Sequence, residues 1–306
     1  MSDNTVFKTE LEERINKINE QIESYLPEEK GHQKTIFEAM NYSVKAGGKR
    51  LRPLFMQEIC RLFTGEVQPV VVPFMAAIEM IHTSSLVHDD LPCMDDDMMR
   101  RGQASTWAEY GEDMGVLAGD ALMIYAFEVA AKAFKEVSDA DDLKRVGRAI
   151  EILASKTGIY GMIGGQTVDV ELAGGPIPKN KLDFIYRLKT GALIEASMLI
   201  GAVLGGAAEE DCKIVESLAG KVGLAFQIQD DILDVTGDQE VLGKEAGSDE
   251  KNQKTTYVTL EGLEKAKKDV EALSVQAIED LNKLPGNNEF LESGCYPGGN
   301  LVLARL

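Results

Sequence analysis

Two aspartate clusters dominate the chemistry open to this sequence. Asp89-Asp90-Leu91-Pro92-Cys93-Met94-Asp95 spells DDxxxxD, and Asp230-Asp231-Ile232-Leu233-Asp234 spells DDxxD. Each closes a long apolar stretch of helical periodicity, where positions i, i+3, i+4 and i+7 share a face, so its carboxylates can turn toward one point. Massed carboxylates repel one another unless hard cations neutralise them. Mg²⁺ suits an oxygen-only donor set and commonly keeps several waters while adding substrate phosphate oxygens. Two such clusters facing each other would make a cleft for a diphosphate. One acidic run is ordinarily solvated surface; two, each fused to an apolar helix, argue for a site. Neither has the alternate-residue ligands, central glycine and terminal glutamate of an EF-hand loop.

The chain carries a net charge of −19, which argues against nucleic acid as a partner. Binding an anionic substrate then requires local positive charge. Gly47-Gly48-Lys49-Arg50-Leu51-Arg52-Pro53 supplies one source, a turn whose glycines let the backbone approach an anion while Lys and Arg provide point charge and forked donors. Arg100-Arg101-Gly102, directly after the first aspartate cluster, supplies another. No P-loop, dinucleotide fingerprint or GxSxG elbow is present. The three histidines, His32, His82 and His88, suggest no hydrolase triad, and the four cysteines form no metal-ligand pattern.

The elements that must position these residues read as helices almost throughout. Helical runs are expected over about Phe7–Tyr25, Lys34–Ala46, Leu51–Phe63, Pro69–His88, Met114–Phe134, Asp139–Thr157, Ile159–Leu172, Lys179–Leu204, Glu209–Val235 and Leu260–Leu284. Pro69–His88 and Glu209–Val235 are apolar on most faces, the mark of helices at the centre of a bundle, and each ends in an aspartate cluster. Alternating β patterns are short and unconvincing. The expected fold is all-α, a single-domain orthogonal helix bundle with a deep central cavity, covering 1–291. Residues 292–306 are expected to be irregular, because Pro297-Gly298-Gly299 cannot continue a helix, and this tail reads as non-native. The charged, amphipathic N-terminus lacks signal-peptide character, so a cytoplasmic protein without stable membrane insertion is expected.

GGKRLRP, HDDLPCMDDDMMRRG, KTGAL and FQIQDDILD, in this order and spacing, resemble the trans-isoprenyl diphosphate synthases, the farnesyl and geranylgeranyl diphosphate synthase family. The likeness covers about Lys34 to Val258. It implies an all-α fold, a homodimer, and condensation of isopentenyl diphosphate with allylic diphosphates (dimethylallyl, geranyl, farnesyl). It also implies about three Mg²⁺ per active site, with Mn²⁺ able to substitute. By the same resemblance Asp89, Asp95 and Asp230 are metal ligands, and Asp90 and Asp234, in the same metal clusters, reach the metals indirectly, through a neighbouring ligand or a water. Lys49, Arg52, His82 and Arg101 match the isopentenyl diphosphate pocket. Arg100, Lys189 and Lys244 match groups holding the allylic diphosphate. Thr190 and Gln227 match polar groups beside the reacting carbons, and Phe226 an aromatic lining the isopentenyl site. Gln166 and Asp169 in GGQTVDV tilt toward function, and Lys244 and Lys254 lie in a Gly-rich stretch resembling a mobile lid.

Two rival readings keep the fold. A class I terpene cyclase replaces the second DDxxD and has no use for GGKRLRP; a noncatalytic partner subunit typically loses aspartates of one cluster. Both clusters and the basic turn are complete here. In the family the growing chain descends beside the helix that carries the first aspartates, and the residues four and five before Asp89 form its floor. Here these are Ser85 and Ser84, small enough to favour geranylgeranyl over farnesyl diphosphate, unless Met80, Met123 or Met162 closes the same space.

Overall fold

The computed structural model describes residues 3–236, 255–286 and 289–295. Helices account for nearly all of it, as the periodicity predicts. The contacts divide into two compact units, residues 1–57 with 67–150, and residues 58–66 with 151–306.

In the first unit, α1 (Asp3–Glu23), α2 (Lys34–Lys45) and α6 (Glu112–Ala131) surround α4 (Val72–Asp89). Helix α3 (Leu51–Thr64) begins here, and α5 (Thr106–Tyr110) precedes α6. Helix α4 is buried on every side, through Phe74, Met75, Ile78, Met80 and Ile81 among others. Each such side chain stabilises the fold by about 1.5–3 kcal/mol relative to exposure. It lies unusually close to α6: a Cβ on Gly119 would fall 2.1 Å from His88 Nε2. Gly119 lets the two helices meet, and Ser84 Oγ donates across the contact to its carbonyl at 2.8 Å.

In the second unit, α7 (Ala140–Thr157) arrives from the first, followed by α8 (Met162–Glu171) and α9 (Lys179–Ile185). The run expected as one helix over 179–204 is interrupted by a π-helical turn, Tyr186–Thr190, before α10 (Gly191–Leu204). Helix α11 (Glu209–Thr236) packs against α10 and against the helix Leu263–Leu281. A short helix Tyr257–Glu261, opened by a Thr256–Thr259 capping box, and the helix Glu289–Cys295 complete the unit. The last of these runs four residues beyond the expected boundary at Leu291; residues 296–306 lie outside the described residues.

The sequence reading missed one element. Met99–Arg100 and Gln103–Ala104 pair as an antiparallel hairpin. Arg101 and Gly102 at its tip have φ of 53° and 80°, the pair of positive values that a tight two-residue hairpin turn demands. Strands of two residues leave no readable alternation.

Candidate active site

The first aspartate cluster sits at the end of α4, and not on one helical face as the spacing suggested. Helix α4 stops at Asp89, and the chain turns back on itself. The Asp95 N–H donates to the Asp89 carbonyl (2.8 Å), Asp97 N–H to the Asp90 carbonyl (3.1 Å), and Asp96 adopts φ 54°. A backbone turn therefore does what helical periodicity was expected to do. Trp107 Nε1 on α5 braces the turn by donating to the Asp97 carbonyl at 3.0 Å.

The paired aspartates divide their labour. Asp90 is 2% exposed and accepts from Arg100, Nε to Oδ1 at 2.9 Å with Nη2 on the same oxygen. Burial holds its carboxyl above the ordinary value, with Arg100 pulling the other way. Asp89 is half-buried and Asp95 exposed. The second cluster repeats the division. Gln227, Asp230 and Asp234 share one face of α11, as i, i+3 and i+7 should. Asp230 is half-buried, whereas Asp231 is buried and its Oδ2 accepts from Tyr186 Oη (2.6 Å) and the Tyr257 N–H (2.7 Å). Asp234 is buried as well.

Arg50, Arg52, Arg100 and Arg101 of the first unit all lie near enough to His82 to act on its charge. Gly47 (φ 86°) and Gly48 (φ 136°) form the turn between α2 and α3, and a Cβ on Gly48 would lie 2.6 Å from Arg101 Nη2. The hairpin tip thus rests on the GGKR turn. Arg50, whose φ is 49°, is the strut that holds this turn. Its guanidinium donates to Glu79 Oε1 (2.7 Å) on α4, Asn19 Oδ1 (2.8 Å) on α1 and the Val44 carbonyl (2.8 Å) on α2. Arg50 and Glu79 are both buried; Arg50 was expected only as part of the basic turn, and Glu79 was missed, its signal a lone acid within an otherwise apolar helix. Its second oxygen, Oε2, has no hydrogen-bond partner, and neither does the buried Nε of Arg52. Burial pushes Arg52 down to about 10, against the pull of Glu79, so it is charged at neutral pH. His82 is held well below its ordinary value, first by burial and then by Arg52, Arg101, Arg50 and Arg100. Burial and four nearby guanidinium groups thus disfavour a charge on the imidazole, and that concentration of positive charge favours an anion.

In the second unit the π-turn carries Lys189 and Thr190, both half-buried. Lys189 Nζ donates to Asp169 Oδ2 on α8 at 2.7 Å, so the GGQTVDV segment is tied to the turn. Gly165 makes that approach feasible, since a Cβ there would lie 2.3 Å from the Lys189 amide nitrogen. Phe226 and Gln227 are half-buried on α11. Lys244 and Lys254 lie outside the described residues. Ser84 is fully buried with its hydroxyl on Gly119, and Ser85 donates to the His82 carbonyl one turn back.

Among the described residues, no three His, Cys, Asp or Glu side chains converge closely enough to hold a metal by themselves. Asp89 and Asp95 in the first unit, half-buried and exposed, and half-buried Asp230 in the second are each of the oxygen-donor type that suits a hard cation also taking waters and substrate phosphate oxygens.

Residues 33–286 match the polyprenyl synthetase family. A geranylgeranyl pyrophosphate synthase of Catharanthus roseus, named as chloroplastic, is 45% identical over 247 residues, covering 80% of this chain and 68% of the relative. The crystal structure of an FPP/GFPP synthase from Zymomonas mobilis superposes with a TM-score of 0.82 at 33% identity, over 95% of this chain and 98% of the other. A geranyltransferase from Helicobacter pylori, crystallised with magnesium and isoprenyl diphosphate, gives 0.79 at 32% identity, over 96% and 95%. The matched span takes in both aspartate clusters, the GGKR turn and the π-turn, and with relatives this similar along most of their length the chain belongs to the polyprenyl synthetase family of short-chain prenyltransferases.

Proposed function

We propose that this enzyme joins isopentenyl diphosphate to dimethylallyl, geranyl and farnesyl diphosphates, with geranylgeranyl diphosphate favoured as product over farnesyl diphosphate. The observation that carries the reading is the guanidinium cluster of the first unit, with Arg101 seated on the Gly48 turn and the buried Nε of Arg52 without a hydrogen-bond partner. An anion of high charge is what such a pocket lacks, and isopentenyl diphosphate supplies one through Lys49, Arg52, His82 and Arg101. By the family resemblance Arg100, Lys189 and Lys244 each match a group for the allylic diphosphate.

By the family resemblance Asp89 and Asp95 in the first unit, and Asp230 in the second, are the residues that would hold Mg²⁺, whose chemistry when bound with substrate phosphate oxygens is to neutralise the leaving group so that the allylic C–O bond can ionise. Lys189 adds fixed positive charge to the departing diphosphate. The lone pairs of Thr190 and Gln227 stabilise the carbocation without capturing it. The isopentenyl double bond then attacks, forming the new C–C bond, and a proton leaves C2 to the released pyrophosphate. No nucleophilic side chain is required. The magnesium complex of the Helicobacter relative supports the metal, and the name of the Catharanthus relative supports the twenty-carbon product.

A homodimer belongs to the same proposal. Val116, Leu117 and Ile124 stand exposed on one face of α6, an apolar helix of which well under half is buried within the chain; a second copy would cover it. A cytoplasmic location is also proposed. The deciding experiment incubates purified protein with isopentenyl diphosphate and each allylic primer, with Mg²⁺ or with chelator, and identifies products by mass. Failure to release pyrophosphate with any primer would remove the reading in favour of a noncatalytic subunit.

A further inference from the structure

Asp231 neighbours the candidate metal ligand Asp230 but faces elsewhere. Its Oδ2 accepts from Tyr186 Oη at 2.6 Å and from the Tyr257 N–H at 2.7 Å, and that N–H also reaches Tyr186 Oη at 3.2 Å. All three residues are buried among Ile177, Ile185 and Ile232. A carboxylate in such surroundings is costly unless its lone pairs are satisfied, and a well-packed apolar side chain would stabilise the core as well or better. Stability alone is therefore a poor reason for an acid here.

Position is a better one. Tyr186 opens the π-turn that ends at Thr190. Such turns widen the helix, are rare and cluster at functional sites. This one has its first residue fastened to Asp231 and its fourth, Lys189, fastened to Asp169. We propose that Asp231 is a positioning residue for prenyl transfer, fixing the turn that carries Lys189 and Thr190 to the helix that carries Gln227 and Asp230. The proposal rests on the allylic-side roles given above to Lys189, Thr190 and Gln227. Asp231 touches no reacting atom; it acts through Tyr186, and an error of about 1 Å in such a placement can cost about a hundredfold in rate.

The test is Tyr186→Phe, which removes one hydroxyl and leaves the Tyr257 N–H on Asp231. Expected are a fall in kcat of about tenfold to a hundredfold, a KM for isopentenyl diphosphate within about twofold of wild type, and an unchanged magnesium half-saturation. Asp231→Asn should move in the same direction. The double variant should be no slower than Asp231→Asn alone, because both changes cut the same link. A Tyr186→Phe enzyme with wild-type kcat would overturn the proposal. So would a magnesium half-saturation for Asp231→Asn displaced as far as that of Asp230→Ala, which would make Asp231 a metal ligand. If Tyr186→Phe unfolds below the assay temperature, the same split between kcat, KM and magnesium dependence read on Asp231→Asn decides. A wild-type protein without prenyl transfer would instead defeat the activity reading, so the two failures are distinguishable.

Discussion

The amide of Asp95 donates to the carbonyl of Asp89 across 2.8 Å, closing DDxxxxD into a turn at the tip of α4. Two carboxylates six positions apart are thereby held by backbone, while Asp90, the acid beside Asp89, faces inward to Arg100. Asp230 and Asp231 divide in the same manner. In each pair the first acid remains accessible and the second anchors the local structure.

Asp89→Ala and Asp230→Ala should each leave the fold intact and lower kcat by well over tenfold, a barrier increase above roughly 1.4 kcal/mol. The loss falls on kcat because the ligand matters most as charge develops on the leaving group. Steady-state pyrophosphate release, with circular dichroism as the folding control, checks this. A variant keeping a tenth of the activity would not be missing a direct ligand.

Arg52→Ala should raise KM for isopentenyl diphosphate far more than for the allylic substrate, and Arg100→Ala should do the reverse, since a forked donor is poorly replaced. Arg100→Ala should in addition lower stability, because it strands the buried Asp90 carboxylate. Equal effects on both KM values from either variant would refute the assignment.

Asp280 tests the electrostatics of the second unit. Burial would raise its carboxyl, but Lys221, Lys283 and Ser217 bring it from 3.8 to about 2. A folded value below the unfolded one stabilises the protein above pH 3.8, and the contribution is lost as pH falls toward 2. Its full size is about 2 kcal/mol. Urea unfolding should show Asp280→Asn less stable than wild type at pH 7 and the gap narrowing by pH 2. A gap independent of pH would contradict the ion cluster.

Ser84→Tyr should shift products toward fifteen carbons, because a ring at the proposed floor removes room for the last isoprene unit. The variant also loses the hydroxyl bond to Gly119 and crowds the α4–α6 contact, a cost of about 1–3 kcal/mol. Product analysis by mass and a thermal melt read the two effects separately. Unchanged products from a wild type that already stops at fifteen carbons would place the floor elsewhere.

The sequence by itself determined the helical architecture and the identity of the acids and bases at the site. Periodicity is a local property, and α4 and α11 carry it openly in their apolar runs. For Asp230 and Asp234 helical spacing even foretold a shared face. What only tertiary structure decided is the direction in which each functional side chain acts. Asp89 and Asp90 are the same residue type in adjacent positions, and nothing local says that Asp90 turns to Arg100. Asp231 was passed over for the same reason: its partners, Tyr186 and the Tyr257 amide, lie 45 and 26 residues away. The Arg50–Glu79 strut, 29 residues apart, and the two-residue hairpin that sets Arg101 over Gly48 were invisible too. Periodicity records which face of a helix is apolar; it carries no record of which distant donor a buried carboxylate meets, because that pairing forms only when the chain packs.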